Sequence, residues 1–434
     1  VWVLAFLCLL LLGTAESYAS ETLTVGPGGN YSSIQNAIDA ASTGDTILVY
    51  SGQYNGDLRV DKQLILQGRD TGSGKPIISG TGNGDVITIT ADGVRVEGFE
   101  VRGSEKYASA IEIRSNDNVI SGNTVTGSNE GIRLDHADRN LITHNTMTGN
   151  RGDGIYLQYA NDNIITDNTA ENNEFGIQGD NLRGNVISGN VCKDNSQIDL
   201  YVENIADSII RGNRIEGNEL ASRNGGDGIG MRYGTNVTIT DNYVGKHYYG
   251  IKVYYSDSVA VLNNTVEDSG VNIRFDFGTR DSVIKNNTVS NGIDNILLGG
   301  ESSNNLVEYN LVSVGKDSIY LFGAGDNNII RHNNVHDSTY GIRMYKSTGN
   351  FITLNYLHEN DDDIYPESND NTVSDNENRA NYYGQDAVPV STYSPTNSPS
   401  GNGSTLTPTP GPGASPEQTD PISWLLGIIN GLFS

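Results

Sequence analysis

One asparagine recurs through most of this 434-residue chain. It closes NVISGN at 118–123, NLITHN at 140–145, NIITDN at 163–168 and NVISGN at 185–190, and the series runs on to NTVSDN at 371–376. The anchors are Asn123, Asn145, Asn168, Asn190, Asn213, Asn242, Asn264, Asn287, Asn310, Asn333, Asn355 and Asn376; ten of the eleven intervals are 21–23 residues and one is 29. A fixed period of this length marks a stacked repeat architecture.

Within each repeat the roles are constant. Three residues before the anchor stands a β-branched residue, from Ile120 and Ile142 to Ile352 and Val373. Two residues after it stands a second, mostly apolar column that includes Val125, Met147, Cys192 and Leu357. A third segment, as in Gly131-Ile-Arg-Leu134 or Gly341-Ile-Arg-Met344, alternates with the period of a strand. Runs this short cannot be long helices. The 51 Asn and 52 Gly favour turns and disfavour helix. Each repeat is therefore predicted to hold about three short strands, to wrap once and to stack on the next at ~4.8 Å, so that eleven steps make a rod segment roughly 53 Å long. The recurring Asn is predicted to point inward as a ladder, its amide bonding the equivalent Asn and the turn backbone of adjacent coils.

A rod of this kind needs closed ends. Ser32-Ser-Ile-Gln35 is a capping-box pattern, and Ile34, Ala37, Ile38 and Ala41 follow on one face, which predicts a short amphipathic helix over the N-terminal end. Strand-like TILVY (46–50), LILQG (64–68) and VITIT (86–90) come next. This order, followed by the repeats, resembles the right-handed parallel β-helix (pectin-lyase-like) superfamily. Within it the chain is most similar to NosD-type and carbohydrate-binding and sugar-hydrolase repeat proteins, many of them on archaeal cell surfaces. The resemblance covers roughly residues 21–385. It implies an all-β, right-handed, single-stranded parallel β-helix of about 12 or more coils with an N-terminal helical cap. It is weakly informative about function, because the superfamily holds lyases, hydrolases, epimerases and non-catalytic adhesins.

The expected organisation is a secretory signal peptide at 1–19, a cap with first coils at 20–93, repeats at 94–385, a Pro/Ser/Thr/Gly-rich linker or stalk at 386–421 and a short apolar tail at 422–434. The tail is too short to span a hydrocarbon core of ~30 Å, and reads as a candidate for contact with a membrane or the cell envelope. Lys and Arg number 27 against 53 Asp and Glu, a net charge of −26, which argues against nucleic acid as a partner. The expected location is secreted or at the cell surface.

The outward positions of the third strand form a long surface with Glu112, Arg133, Asp135, Tyr156, Gln178, Asp180, Asp199, Tyr201, Arg232, Lys252, Tyr254, Arg274, Asp276, Tyr320, Phe322, Arg343 and Tyr345. Aromatic rings stack on apolar sugar faces, and charged groups bond hydroxyls or uronate carboxylates. This predicts binding of a polysaccharide or glycoprotein glycan through Arg133, Tyr156, Tyr201, Tyr254, Arg274, Asp276, Tyr320, Arg343 and Tyr345. Two catalytic candidates lie on the same surface. Asp135 and His136, with Asp138, Arg133, Tyr156 and Asp180, offer an acid, a base and a cation for elimination or epimerisation of a uronate. Asp135-His136 resembles the Asp-Pro-His of alginate epimerases without the proline. The second candidate is the 29-residue interval, whose insertion around 217–228 lengthens a turn beside Asp227, Arg232 and Lys252. Asp227-Gly-Ile matches one fragment of the polygalacturonase pattern, but its companion motifs are missing.

A divalent cation is the candidate cofactor. His336 and His358 follow successive anchors by three residues and should stack one coil apart, with Asp337 and Glu359 beside them. Copper(I) favours Met and Cys, but Met147, Met231, Met344 and Cys192 all fall on inward columns, where they pack. The function expected is glycan binding along the strand face. The alternatives are a polysaccharide lyase, uronate epimerase or glycoside hydrolase, a NosD-like metal accessory protein, and a structural envelope protein.

Overall fold

The computed structural model describes residues 20–82, 84–103, 107–217, 226–368 and 370–379. The signal-peptide, stalk and tail readings, and most of the insertion, lie outside the described residues. The chain forms a parallel β-solenoid of about 15 turns. Each coil carries three strands, for example Val119–Ser121, Thr124–Thr126 and Glu130–Asp135. The first of these positions builds a 16-stranded sheet that starts at Thr22–Val25, so the coils begin well before residue 94. Every registered pairing along that sheet is parallel, as in Ile120 with Ile142 and Ile142 with Ile165.

The core is a set of apolar columns. Ile120, Ile142, Ile165, Ile187, Ile210 and Ile239, and likewise Val125, Met147, Ala170, Cys192 and Ile215, are almost completely buried. Met231 and Met344 lie in the third inward column and are equally buried.

Asparagine ladders line the corners between strands. In the corner of the twelve anchors the ladder is unbroken from Asn123 to Asn376. Each Oδ1 accepts the backbone N–H and the Nδ2–H of the preceding Asn; for Asn264 both come from Asn242, at 2.9 Å. The same Nδ2 donates to the carbonyl of Ile239, at 3.0 Å, and to Asn287 Oδ1, also at 3.0 Å. The receiving carbonyl belongs to the β-branched residue of the previous coil, so the sequence pairing of β-branched residue and Asn has a direct physical basis. A second ladder runs through Asn118, Asn140, Asn163 and Asn185, and resumes at Asn305, Asn328 and Asn350. A third joins Asn150, Asn173 and Asn195.

The residue before a ladder Asn takes a left-handed conformation that lets the chain turn a corner: Arg139 (φ 57), His144 (φ 55) and Asp167 (φ 56) are examples. Asp, Asn and Gly tolerate it best, which accounts for their abundance at these positions. Where Gly292 and Gly315 replace the third-corner Asn, the strand runs through the corner, giving the 12-residue strands Thr288–Gly299 and Leu311–Phe322.

At the N-terminal end, α1 (Ile34–Ala40) buries Ile34, Ala37 and Ile38. The cap differs from the sequence reading by one residue. Ser33 is the N-cap and accepts from Asn36 N–H, while Gln35 accepts from Arg59 N–H instead of reaching back to Ser32. Bonding Gln35 to a neighbouring coil ties the helix to the solenoid, which a local box would not do.

Replacing a central ladder residue strands several buried donors and acceptors at once. Asn264→Ala should lower unfolding stability by about 3 kcal/mol or more, since each buried group left unpaired costs ~1–3 kcal/mol. Asn376→Ala, at the last rung and half-buried, should cost distinctly less. Urea unfolding of the two variants checks this order.

Candidate functional site

The third strand presents three parallel columns of outward side chains. The middle column reads Glu112, Arg133, Tyr156, Gln178, Tyr201, Gly230, Lys252, Arg274, Leu297, Tyr320, Arg343 and Tyr365, in Cα register from coil to coil. Beside it run Asp135, Gln158, Asp180, Glu203, Arg232, Tyr254 and Asp276, with Phe322 and Tyr345 further along. The predicted glycan-binding residues thus fall on two adjacent lines along the rod.

The predicted catalytic residues do not form one site. Asp135 and His136 touch, Oδ1 to Nδ1 at 2.7 Å, because a left-handed turn begins at His136 (φ 51) and brings adjacent side chains to the same side. His136 stacks on Tyr159 with centroids 4.9 Å apart. Asp180 lies two coils away and accepts from Asn204 Nδ2, and Asp138 serves a turn by accepting from Asn161 N–H. Asp227, Arg232 and Lys252 form a separate cluster, four coils beyond Asp135, or ~19 Å at the strand spacing.

Around Asp227 the chemistry is dense. Its carboxyl is 4% exposed. Oδ2 lies 3.7 Å from Lys252 Nζ, and Oδ1 has no hydrogen-bond partner. Burial raises its pKa to about 6 against the opposing pull of Lys252, His247 and Arg274. The Lys252 ammonium sits over Tyr249 at 4.4 Å and Tyr254 at 5.1 Å. Arg274 donates to Tyr249 Oη at 3.0 Å and pairs with Asp276. Arg232 stacks on Tyr233 and pairs with Glu203 at 3.4 Å. Tyr201, hydrogen-bonded to Glu203, has its phenol pKa raised, chiefly by burial.

Two features here were not legible. Asp199, expected outward, turns inward: it occupies the position held by Gly176 and Gly228 in neighbouring coils, whose Cβ direction faces the third ladder. It accepts from Asn195 N–H and stands 2.8 Å from His247 Nε2, both side chains almost fully buried. His247 carries the third-corner position in the coil after the insertion, so the pair fills a break in the ladder. The second feature is a recurrence of acids at one register position: Glu130, Asp153 and Asp227, each before a strand glycine, and Asp294 and Asp317 further along, with Phe175, Ile198, Tyr249 and Val271 at the positions between. The recurring Glu/Asp-Gly-Ile was the available signal. Burial, then the charges of Glu130 and Glu174, raise Asp153 to about 7; burial, then Asp317, raise Asp294 to about 6.

Exposed aromatics flank this cluster at a turn. Tyr233, Tyr255 and Phe277 take left-handed φ values of 53, 53 and 50, and stack at 5.4 and 5.3 Å while 41–49% exposed. Bulky side chains are costly in this conformation, and their exposure wins little burial in return.

His336 and His358 stack at 4.8 Å, where their spacing put them. His336 Nδ1 lies 2.7 Å from Asp337 and His358 Nδ1 lies 3.8 Å from Glu359. His358 has a lowered pKa from burial and from His336. Among the described residues, no three His, Cys, Asp or Glu side chains are gathered as a metal site.

The coil pattern is shared with known families. Residues 78–222 and 109–266 match the model described as Right handed beta helix region. Over these residues the chain is similar to that family, and by fold it is a parallel β-solenoid. Residues 208–388 also match the model described as Periplasmic copper-binding protein (NosD). The soft donors do not fit a copper site, since Met147, Met231, Met344 and Cys192 are all core residues with no exposed surface. No curated protein sequence matches the chain. Similar solved structures include the A-module of mannuronan C-5 epimerase AlgE6 from Azotobacter vinelandii (15% identity, 80% of this chain, 94% of that chain, TM-score 0.46). The DFA-IIIase of Arthrobacter chlorophenolicus A6 without its lid is another (13%, 79%, 91%, 0.45). The Dettilon tailspike protein is a third (14%, 76%, 62%, 0.44).

The raised Asp153 value carries a stability consequence with a defined sign. The folded pKa lies above the unfolded one, so stability is highest below about pH 4 and falls as pH rises toward 7, by up to roughly 4 kcal/mol for this carboxyl. Asp153→Asn should be more stable than wild type at pH 8 and lose that advantage at pH 4. Unfolding curves at the two pH values check it.

Proposed function

We propose that this parallel β-helix protein is secreted or displayed at the cell surface and binds polysaccharide or glycoprotein glycan lengthwise along its third-strand face. The observation that carries the reading is the central cluster, where Tyr201, Tyr249 and Tyr254 stand among Lys252, Arg232 and Arg274 on in-register coils. Rings flanked by cations and carboxyls offer apolar stacking and hydroxyl bonding together, which is what a sugar ring presents. The exposed stack of Tyr233, Tyr255 and Phe277 extends that surface around the turn. Export is supported by the apolar run at 3–12 followed by small residues, and display by the Pro-rich segment at 386–421.

A second reading is catalytic. A buried carboxyl with a pKa near 6 beside Lys252 suits proton transfer to or from a bound sugar, as a lyase, epimerase or hydrolase requires.

A glycan array followed by product analysis separates the two. Binding without cleavage or epimerisation favours the adhesive reading. New products that disappear in Asp227→Asn favour the enzyme. For the ligand found, Tyr254→Ala and Lys252→Ala should each weaken binding about tenfold, the loss of ~1.4 kcal/mol. Absence of binding to any acidic or neutral glycan would overturn the proposal.

A further inference from the structure

Where the third strand ends, two columns of residues run side by side along the rod. The first, described above from Asp135 to Asp276, continues as Gly299, Phe322 and Tyr345. The second is the turn residue that follows each of these, and from His136 to Lys346 it keeps a left-handed conformation with φ 49–60. Asn and Gly adopt that conformation most cheaply, and Asn181, Asn204, Gly300 and Gly323 are examples. Tyr233, Tyr255 and Phe277 adopt it on three consecutive coils as large, half-exposed rings.

Both columns are interrupted at the same coil. From Asp135 to Tyr345, Gly299 is the one member of the first column without a side chain, and Gly300 beside it follows Phe277 in the second. The backbone does not demand glycine at 299. The residue lies in a strand, and a β-carbon there would crowd only the ends of the Leu297 and Asp276 side chains, at 3.0 and 3.1 Å.

The rings on either side of this gap each have one face covered. Phe277 stacks on Tyr255 of the coil before, at 5.3 Å and 18°, and Phe322 stacks on Tyr345 of the coil after, at 5.6 Å and 12°. Their other faces are turned toward the glycine coil between them. Phe277 is 49% and Phe322 47% exposed, so packing closes neither. The two rings stand two coils apart, ~10 Å at the strand spacing. Stacked rings meet at centroid distances of about 4.5–7 Å, so two such contacts back to back fill that span with one inserted ring.

We propose that the gap at Gly299 and Gly300 is a sugar slot, in which Phe277 and Phe322 sandwich one neutral, all-equatorial hexopyranose of a β-linked glycan. The proposal rests on the glycan-binding reading above and adds a subsite and a ligand class to it. A ring held between two aromatic faces needs C–H groups on both of its own faces. β-Glucose and β-N-acetylglucosamine have them, because their ring substituents are equatorial and their ring hydrogens axial. Mannose and galactose each place one hydroxyl axially on a face. The floor offers no charge for a uronate: Asp276 is 2% exposed, accepts the Phe277 N–H at 2.9 Å and pairs with Arg274. A net charge of −26 also repels polyanions.

The slot sets the orientation of its guest. Both aromatic rings stack along the rod, so a sugar between them lies across it. Glycosidic bonds leave a pyranose close to its own plane. The slot therefore receives a chain end or a side branch, while the glycan that carries it lies along the strand face.

The test titrates the full chain with cellotriose, chitotriose, β-1,4-mannotriose and trigalacturonate, followed by ligand-observed NMR. Cellotriose or chitotriose should bind about tenfold tighter than the other two, and Phe277→Ala and Phe322→Ala should each weaken that binding about tenfold. Gly299→Tyr keeps both rings and places a third between them, as Tyr254 and Tyr345 already stand in the same column. It should keep wild-type stability in urea and lose trisaccharide binding, which separates a ligand slot from a stack that only stabilises the rod. If Gly299→Tyr does not fold, the pair Phe277→Leu/Phe322→Leu, which keeps apolar bulk without flat faces, should show the same loss. Equal or tighter binding of mannotriose or trigalacturonate, no binding of any trisaccharide, or unchanged affinity in these variants overturns the slot. The glycan-binding reading then still stands if an array glycan binds and Tyr254→Ala weakens it. Failure of every glycan in the array to bind removes both.

Discussion

A buried primary amide must place two donors and one carbonyl oxygen, and the whole architecture depends on how this chain does so. Each interior Asn of the unbroken ladder gives its two Nδ2 hydrogens to the previous coil's strand carbonyl and to the next Asn, and receives two donors on Oδ1. Nothing is left over in the corner. The arrangement works in one register only. A slip of one residue would push the amide onto the outer face and a strand residue into the corner. The ladder therefore fixes the rod's register more sharply than the interchangeable Ile and Val columns can.

Because register is settled inside, the outer face is free to vary. Residues in line on successive coils sit one strand spacing apart whatever their chemistry. A tyrosine, a lysine and an arginine on consecutive repeats become neighbours by default. The ladder's failures are equally informative. Among the described residues the third-corner Asn run ends at Asn195, where the Asp199 carboxyl accepts in place of a next Asn and pairs with His247, whose charge is felt at Asp227. The one long interval, the broken ladder and the densest polar cluster all coincide.

The sequence reading succeeded where a residue's role repeats. The coil period, the inward β-branched column, the Asn ladder and the outward Arg133, Tyr156 and Lys252 followed from periodicity alone. It failed where a side chain's role depends on one local contact. Asp199 reads as an outward strand residue until its alignment with glycines 176 and 228 shows that it lies at a bend. These acids were hidden because Glu130, Asp153 and Asp227 each precede a glycine and read as a turn, while Asp294 and Asp317 precede Asn295 and Ser318. Ser33 replaced Ser32 as helix cap because Gln35 found its partner one coil away. His247 had one signal, its place five residues after anchor Asn242, the same offset that Asn150, Asn173 and Asn195 keep from theirs.

The claim on which the rest hangs is that the ladder amides are permanently bonded between coils, and hydrogen exchange tests it most directly. The backbone N–H groups of Asn145, Asn168, Asn242, Asn264 and Asn310 each donate to the next Asn and should exchange as slowly as the buried strand residues Ile142 and Ile165. Their side-chain NH₂ groups should be protected as well. Exchange at the rate of an unprotected chain, at corners where neighbouring strands stay protected, would contradict the account.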